Sequence, residues 1–195
     1  QSDEKILYLT FDCGYENGNT PAILKALKKH KVPATFFVVG HFINENEDLI
    51  KQMVKEGHNV GNHTFNHSQL TKLGFDEAVE EINTTNAWIT NISGYTPEYI
   101  RPPFGSFTDE LLSETSMSVV MWNVDPLDWK YKNKDIVTDK ILKNVKNGDI
   151  ILMHDIFESS VDAAQTVIKE LKKQDYVFVT VDKMNSNKQI IRRDK

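Results

Sequence analysis

Short apolar runs alternate with amphipathic stretches along nearly the whole 195-residue chain, and this alternation limits the fold more than any other feature. The run from Leu7 predicts a buried strand that delivers Asp12 and Cys13 into the turn at Gly14. Further strands are expected over Val32 to Val39, His58 to Asn62, Tyr99 to Ile100, Val119 to Val124, Asp149 to Met153 and Tyr176 to Val181. Between them, apolar residues at helical spacing predict helices over Pro21 to His30, Glu47 to Glu56, Phe75 to Ile92, around Leu111 and Leu112, and over Asp135 to Val145 and Val161 to Lys173. About seven strands alternating with helices require parallel strands covered by helices. An open doubly wound sheet and a closed barrel of fewer than eight strands both satisfy that pattern. The first turn lacks G-x-G-x-x-G spacing, which weighs against a dinucleotide site. In a barrel, reactive side chains gather at one rim from several strand ends. Asp12, His63, Arg101, Asp125 and His154 each follow a separate predicted strand.

The length suits one domain spanning residues 1–195, with one well-buried core. A formal charge of −5 argues against sequence-independent nucleic-acid binding, and the basic run from Lys188 to Lys195 reads as a solvated tail. No apolar run approaches membrane-spanning length, so no intrinsic membrane segment is expected in this chain. The chain begins at Gln1 rather than methionine, and a signal or anchor upstream is the expectation. Cys13 is the single cysteine, which excludes an internal disulfide.

A carboxylate at the end of a buried strand is costly to desolvate unless it has partners or a task. Asp12 therefore reads as the hub, with turn capping before Gly14 as the plain alternative. His63 and His67 lie four positions apart, a spacing that places two imidazoles on one face of a helical turn and lets them share a metal. Two turn histidines bonded to backbone would show the same spacing. Catalytic zinc takes three protein ligands and an open position, and Cys13 or Asp12 is available to complete the set. His154, at the end of an apolar run, is a candidate general acid beside such a metal. Asp125 and Asp128 flank Pro126; either one caps the turn or holds His154 protonated. Arg101 precedes two prolines that stiffen its approach, and a fixed guanidinium suits a carboxylate, Asp12 being the expected partner. His30, His41 and His58 read as solvated or structural.

Five segments taken in order resemble the motifs of the polysaccharide deacetylases, carbohydrate esterase family 4, also called the NodB homology domain. They are Thr10 to Tyr15, Asn62 to His67, Arg101 to Gly105, Asp125 to Trp129 and Leu152 to Asp155. The resemblance implies an α/β fold, a distorted seven-stranded (β/α) barrel that hydrolyses the acetamide of an N-acetylated sugar. It implies Asp12 as general base, His154 as general acid, Asp125 tuning that acid and Arg101 orienting Asp12. His63 and His67 would hold a divalent metal, zinc foremost. The Phe104 backbone N–H would face the oxyanion, and Trp129 and Leu152 would line the acetyl pocket. Most members carry an aspartate as third ligand where this chain has Cys13. A Cys13 thiolate would make a softer, zinc-favouring site, and a protonated thiol would leave a weaker metal on two histidines. That substitution, with the run Gly14 to Gly18, resembles the δ-lactam-biosynthetic de-N-acetylases of spore cortex. Those enzymes act on N-acetylmuramic acid in peptide-free glycan strands. The expected setting is an extracytoplasmic monomer at the cell wall or spore envelope, with Arg101 or Lys130 selecting the anionic lactyl group. A chitin, xylan or generic peptidoglycan deacetylase, and a silent glycan-binding module, are the alternatives.

Overall fold

The computed structural model describes residues 3–14 and 18–184. The basic run from Lys188 and the central part of the Gly14 to Gly18 run lie outside the described residues. The strands are β1 (Lys5–Cys13), β2 (Thr35–Val38), β3 (Asn59–Asn62), β4 (Tyr99–Ile100), β5 (Ser118–Val119), β6 (Ile150–His154) and β7 (Tyr176–Phe178). The helices are α1 (Thr20–His30), α2 (Gly40–Ile43), α3 (Glu47–Lys55), α4 (Phe75–Ser93), α5 (Asp109–Thr115), α6 (Asp128–Tyr131), α7 (Lys134–Asn144) and α8 (Glu158–Lys173).

All seven strands share one sheet, in the order β5-β4-β3-β2-β1-β6, with β7 also on β1. Every pairing is parallel, which follows from strands joined by helical crossovers. The sheet curls until the segment after β5 meets β6: Val124 forms a parallel bridge with Ile151, and Leu152 N–H donates to the Val124 carbonyl at 2.9 Å. This is the (β/α) barrel, distorted because β4 and β5 are only two residues long.

The strand expected over Val119 to Val124 ends at Val119 for a physical reason. The carbonyls of Val120 and Met121 accept hydrogen bonds from the Arg101 guanidinium, at 3.2 and 2.9 Å, instead of from a neighbouring strand. The short helices α2 and α6 carry too few residues for a periodic signal.

Alternation along β1 divides the molecule into two layers. Leu7, Leu9, Phe11 and Cys13 belong to the large outer core, packed with residues of α1 and α8. Tyr8 belongs to a smaller inner cluster with Phe37, Val120 and Ile150, and Thr10 and Asp12 share its face of the strand. Gly61 in β3 makes room for that cluster, since a Cβ there would lie 2.5 Å from the Phe37 ring. His58 accepts the Ala34 N–H at 3.1 Å, a structural task.

Candidate active site

Arg101 sits at the centre of the barrel, fully buried. It leaves β4 immediately before Pro102, and its guanidinium lies 4.4 Å over the Phe37 ring and 5.6 Å over that of Trp122. Its Nη1 donates to Thr10 Oγ1 at 2.8 Å and to Asp12 Oδ1 at 2.9 Å. A buried cation without such partners would be strongly disfavoured, so the pair specifies the orientation of Asp12.

Asp12 is 5% exposed, and its Oδ2 lies 3.7 Å from His63 Nε2. Burial pushes its carboxyl up, but Arg101, His63 and His154 together outweigh burial and hold it below the usual carboxylate range. It is therefore an anion at neutral pH.

His63 follows β3 directly, and its Nδ1–H donates to the Arg101 carbonyl at 2.5 Å, which turns Nε2 toward Asp12. Burial lowers its basicity further than Asp12 raises it. His67 lies with its ring centroid 4.9 Å from that of His63. Burial first, then the neighbouring His63, lowers it to about 4. Both rings are neutral at pH 7, with lone pairs available.

The spacing of these histidines suggested a helical turn, and the structure brings them together through a loop instead. Thr64 and His67 adopt left-handed backbone, with φ of 65° and 56°. Asn62 accepts the Thr64 N–H at 2.8 Å. Glu81, on α4, accepts from Phe65 N–H, Asn66 N–H and the Asn66 side chain at 2.9, 2.8 and 2.7 Å. Glu81 has no signal in the sequence, because its partners are fifteen or more positions away in the chain. Strained backbone held by side-chain bonds is a common mark of a working site.

His154 ends β6, opposite Asp12 in the β1–β6 register. Its Nδ1–H donates to Asp128 Oδ1 at 2.8 Å, and its backbone N–H donates to Asp128 Oδ2 at 2.8 Å. Ser160 Oγ also donates to Asp128 Oδ2, at 2.8 Å. Burial lowers the imidazole's basicity, but Asp128, Asp12 and Asp125 overcome that and raise it above the ordinary histidine value.

The carboxylate hydrogen-bonded to His154 is thus Asp128. Asp125 Oδ1 accepts the Leu127 N–H at 2.9 Å, which closes the turn through Pro126; only its charge reaches His154. Leu127 turns left-handed, with φ of 55°, and that reversal carries Asp128 inward.

Cys13 departs furthest from expectation. One residue past Asp12 in a strand, it points to the opposite face, fully buried in the outer core. Burial and the nearby Asp155 and Asp12 push its thiol well above the ordinary value, so it is not a thiolate.

Around this centre the remaining residues take distinct places. Phe104 is 72% exposed, on left-handed backbone with φ of 60°. Its ring centroid is 5.4 Å from that of His67. Trp129 is half exposed on α6, and Leu152 is buried on β6 with the parity of His154.

A parallel barrel whose rim holds a buried anion, a supported imidazole and two neutral imidazoles carries the groups of an acid–base site. The chain belongs to the polysaccharide deacetylase family, carbohydrate esterase family 4: the family model "Polysaccharide deacetylase" matches residues 1–118. It is 44% identical over 186 residues to the Bacillus subtilis peptidoglycan-N-acetylmuramic acid deacetylase PdaC, covering 95% of this chain and 40% of the relative. It is 41% identical over 194 residues to PdaA of the same organism, also a peptidoglycan-N-acetylmuramic acid deacetylase, covering 96% and 74%. The Listeria monocytogenes peptidoglycan-N-acetylglucosamine deacetylase PgdA is 40% identical over 184 residues, covering 94% and 40%. The solved structure of B. subtilis PdaC superposes with a TM-score of 0.88 at 44% identity, covering 92% of this chain and 89% of that one. The chain thus spans about 40% of the length of PdaC and PgdA.

The metal that the family implies fits the two histidines. Both are neutral, and His63 Nε2 is directed at Asp12 by the bond on its other nitrogen. No third donor from Cys13 joins them, and no group of three His, Cys, Asp or Glu side chains suited to a metal converges among the described residues.

Proposed function

We propose that this chain is a peptidoglycan deacetylase that removes the acetyl group from N-acetylmuramic acid in peptide-free glycan strands, the step that leads to muramic δ-lactam in spore cortex. One observation carries the chemistry: an anionic Asp12 and a His154 imidazole held by Asp128 stand at the ends of adjacent strands, beside two neutral imidazoles. The similarity to PdaC and PdaA supports muramic acid as the sugar. Asp12 takes a proton from water as the water oxygen bonds to the acetyl carbon. His154 gives its proton to the leaving nitrogen as the C–N bond breaks, so acetate and a free amine result. A divalent metal on His63 and His67, zinc foremost, would polarise the acetyl carbonyl and acidify the water. The Phe104 N–H, Trp129 and Leu152 are the proposed contacts to the oxyanion and the acetyl methyl. Such a substrate places the working protein outside the cytoplasm, at the cell wall or spore envelope, and we propose a monomer.

Mass spectrometry of peptide-free strands, with and without added metal, tests this reading. Loss of acetyl from muramic acid supports it. Loss from glucosamine instead supports the second reading, which the 40% identity to PgdA favours. No acetate under either condition leaves a glycan-binding module.

Two further outcomes are expected. Calorimetric titration with zinc should lose its signal in His67→Ala and keep wild-type affinity in Cys13→Ser, because the thiol faces away from the imidazoles. Weakened binding in Cys13→Ser would restore the thiol as a ligand. Arg101 has no exposed surface, so it does not meet a lactyl group; Lys130, exposed beside Trp129 on α6, is the cation left for that task. Lys130→Ala should raise KM for muramic-acid strands about threefold to fivefold, the scale of an exposed ion pair, and leave chitin oligomers unchanged. An equal change on both substrates would refute it.

A further inference from the structure

Eight consecutive exposed residues run from Trp129 to Ile136, through α6 and into α7. Three of the six exposed large hydrophobic side chains among the described residues fall within them: Trp129, Tyr131 and Ile136. Lys130, Lys132 and Lys134 are interleaved with these, and Lys140 joins them from further along α7. The Lys130 and Lys140 ammoniums lie 5.6 and 5.0 Å from the centroid of one ring, that of Tyr131. The Lys132 ammonium lies 4.8 Å over Phe157, just before α8. None of these four lysines forms an ion pair with a described carboxylate, and Asp139, next to Lys140 in the chain, is taken by Lys143 at 2.7 Å.

A solvated helix face is the plain reading of scattered lysines. It does not account for two ammoniums gathered on one exposed ring in a chain whose net charge is −5. Exposed rings concentrated in one stretch mark a contact surface, and unpaired cations held over those rings suit a ligand with an apolar face and an anionic group. The stretch is also fixed to the catalytic rim. Asp128, which holds His154, accepts the Trp129 N–H on Oδ1 and the Lys132 N–H on its carbonyl, both at 3.0 Å. Asn133 then caps α7 by accepting the Asp135 and Ile136 N–H groups, each at 3.0 Å. One carboxylate therefore sets the place of both the imidazole and the lysine-bearing backbone beside it.

We propose that this face is an outer subsite for the glycan strand, on which Tyr131, Lys132 and Lys140 take the next muramic acid along from the reacting one. The ring lies against the apolar face of the sugar, and the two ammoniums meet its lactyl carboxylate; Lys130 stays with the reacting sugar. This deepens the proposed function and rests on it. A peptide-free glycan strand carries a free lactyl carboxylate on every second sugar, chitin carries none, and in the complete wall polymer each carboxylate bearing a peptide is uncharged, bound as an amide. An outer subsite of this kind reads whether the neighbouring muramic acid has also lost its peptide.

Equilibrium titration with oligomers carrying one or two muramic acids tests this, in the Asp12→Asn background so that no acetyl is lost during the measurement. The second muramic acid is expected to tighten binding about tenfold, the scale of two exposed ion-pair contacts. Lys132→Met combined with Lys140→Met should abolish that gain and leave the one-muramic oligomer bound as before. Converting the lactyl carboxylates of the longer oligomer to amides should abolish the gain with both lysines in place, an arm that does not depend on how the substitutions fold. A gain kept by the double-lysine variant, a gain kept by the amidated oligomer, or no gain at all would overturn the proposal. The titration needs no turnover. If acetate comes from glucosamine, or from neither sugar, the proposed function fails while the gain and its dependence on the two lysines still decide for or against this subsite.

Discussion

Asp12→Asn is expected to lower kcat for acetate release by about a thousandfold, the mid-range loss when a general base is removed. Asparagine keeps an oxygen for the Arg101 Nη1, so the barrel should retain its fold; circular dichroism and a melting curve run beside the assay distinguish lost chemistry from lost structure. His154→Ala should be comparably inactive, and the double variant should be little worse than either single one, because base and acid act as one unit in a single hydrolysis. Activity within tenfold of wild type in Asp12→Asn would remove the carboxylate from the reaction.

Arg101→Met carries the second large effect, and it falls on stability as well as rate. Removing the guanidinium leaves Asp12 as an unpaired buried anion and frees the Val120 and Met121 carbonyls. Breaking a buried pair from one side costs about 3–5 kcal/mol. For a chain of this size that corresponds to a fall in melting temperature on the order of 10 °C. Asp12 should also lose its depressed titration, and the acidic limb of the rate profile should move to higher pH. Thermal stability equal to wild type would show that the guanidinium is not the anchor of the barrel's interior.

The alternating pattern of strands and helices was legible because each long helix presents an apolar stripe and each strand a run of buried residues. The pairing of Arg101 with Asp12 was legible too, since prolines after an arginine and a carboxylate at a strand end each ask for a partner. The choice between Asp125 and Asp128 was not. It depends on one left-handed residue, Leu127, whose type does not announce that conformation. The loop joining His63 to His67 was hidden for the same reason, with two non-glycine residues at positive φ and a carboxylate from α4 bracing it. Cys13 is different, because period-two alternation separates it from Asp12 by one face of β1. The resemblance to a metal-ligating position outweighed that simple parity. The early end of β5 could not be foreseen, because carbonyls that a strand would have used are taken by a side chain from β4.

Arg101, inside the barrel, links four parts of the chain: its guanidinium meets Thr10 and Asp12 on β1, the carbonyls after β5 and the ring of Phe37, and its backbone carbonyl holds His63. Assembly of the catalytic apparatus and consolidation of the interior are therefore the same event. A population of molecules that is compact but inert should not accumulate on the way to the native state, and recovery of turnover after dilution from denaturant should keep pace with recovery of tryptophan fluorescence.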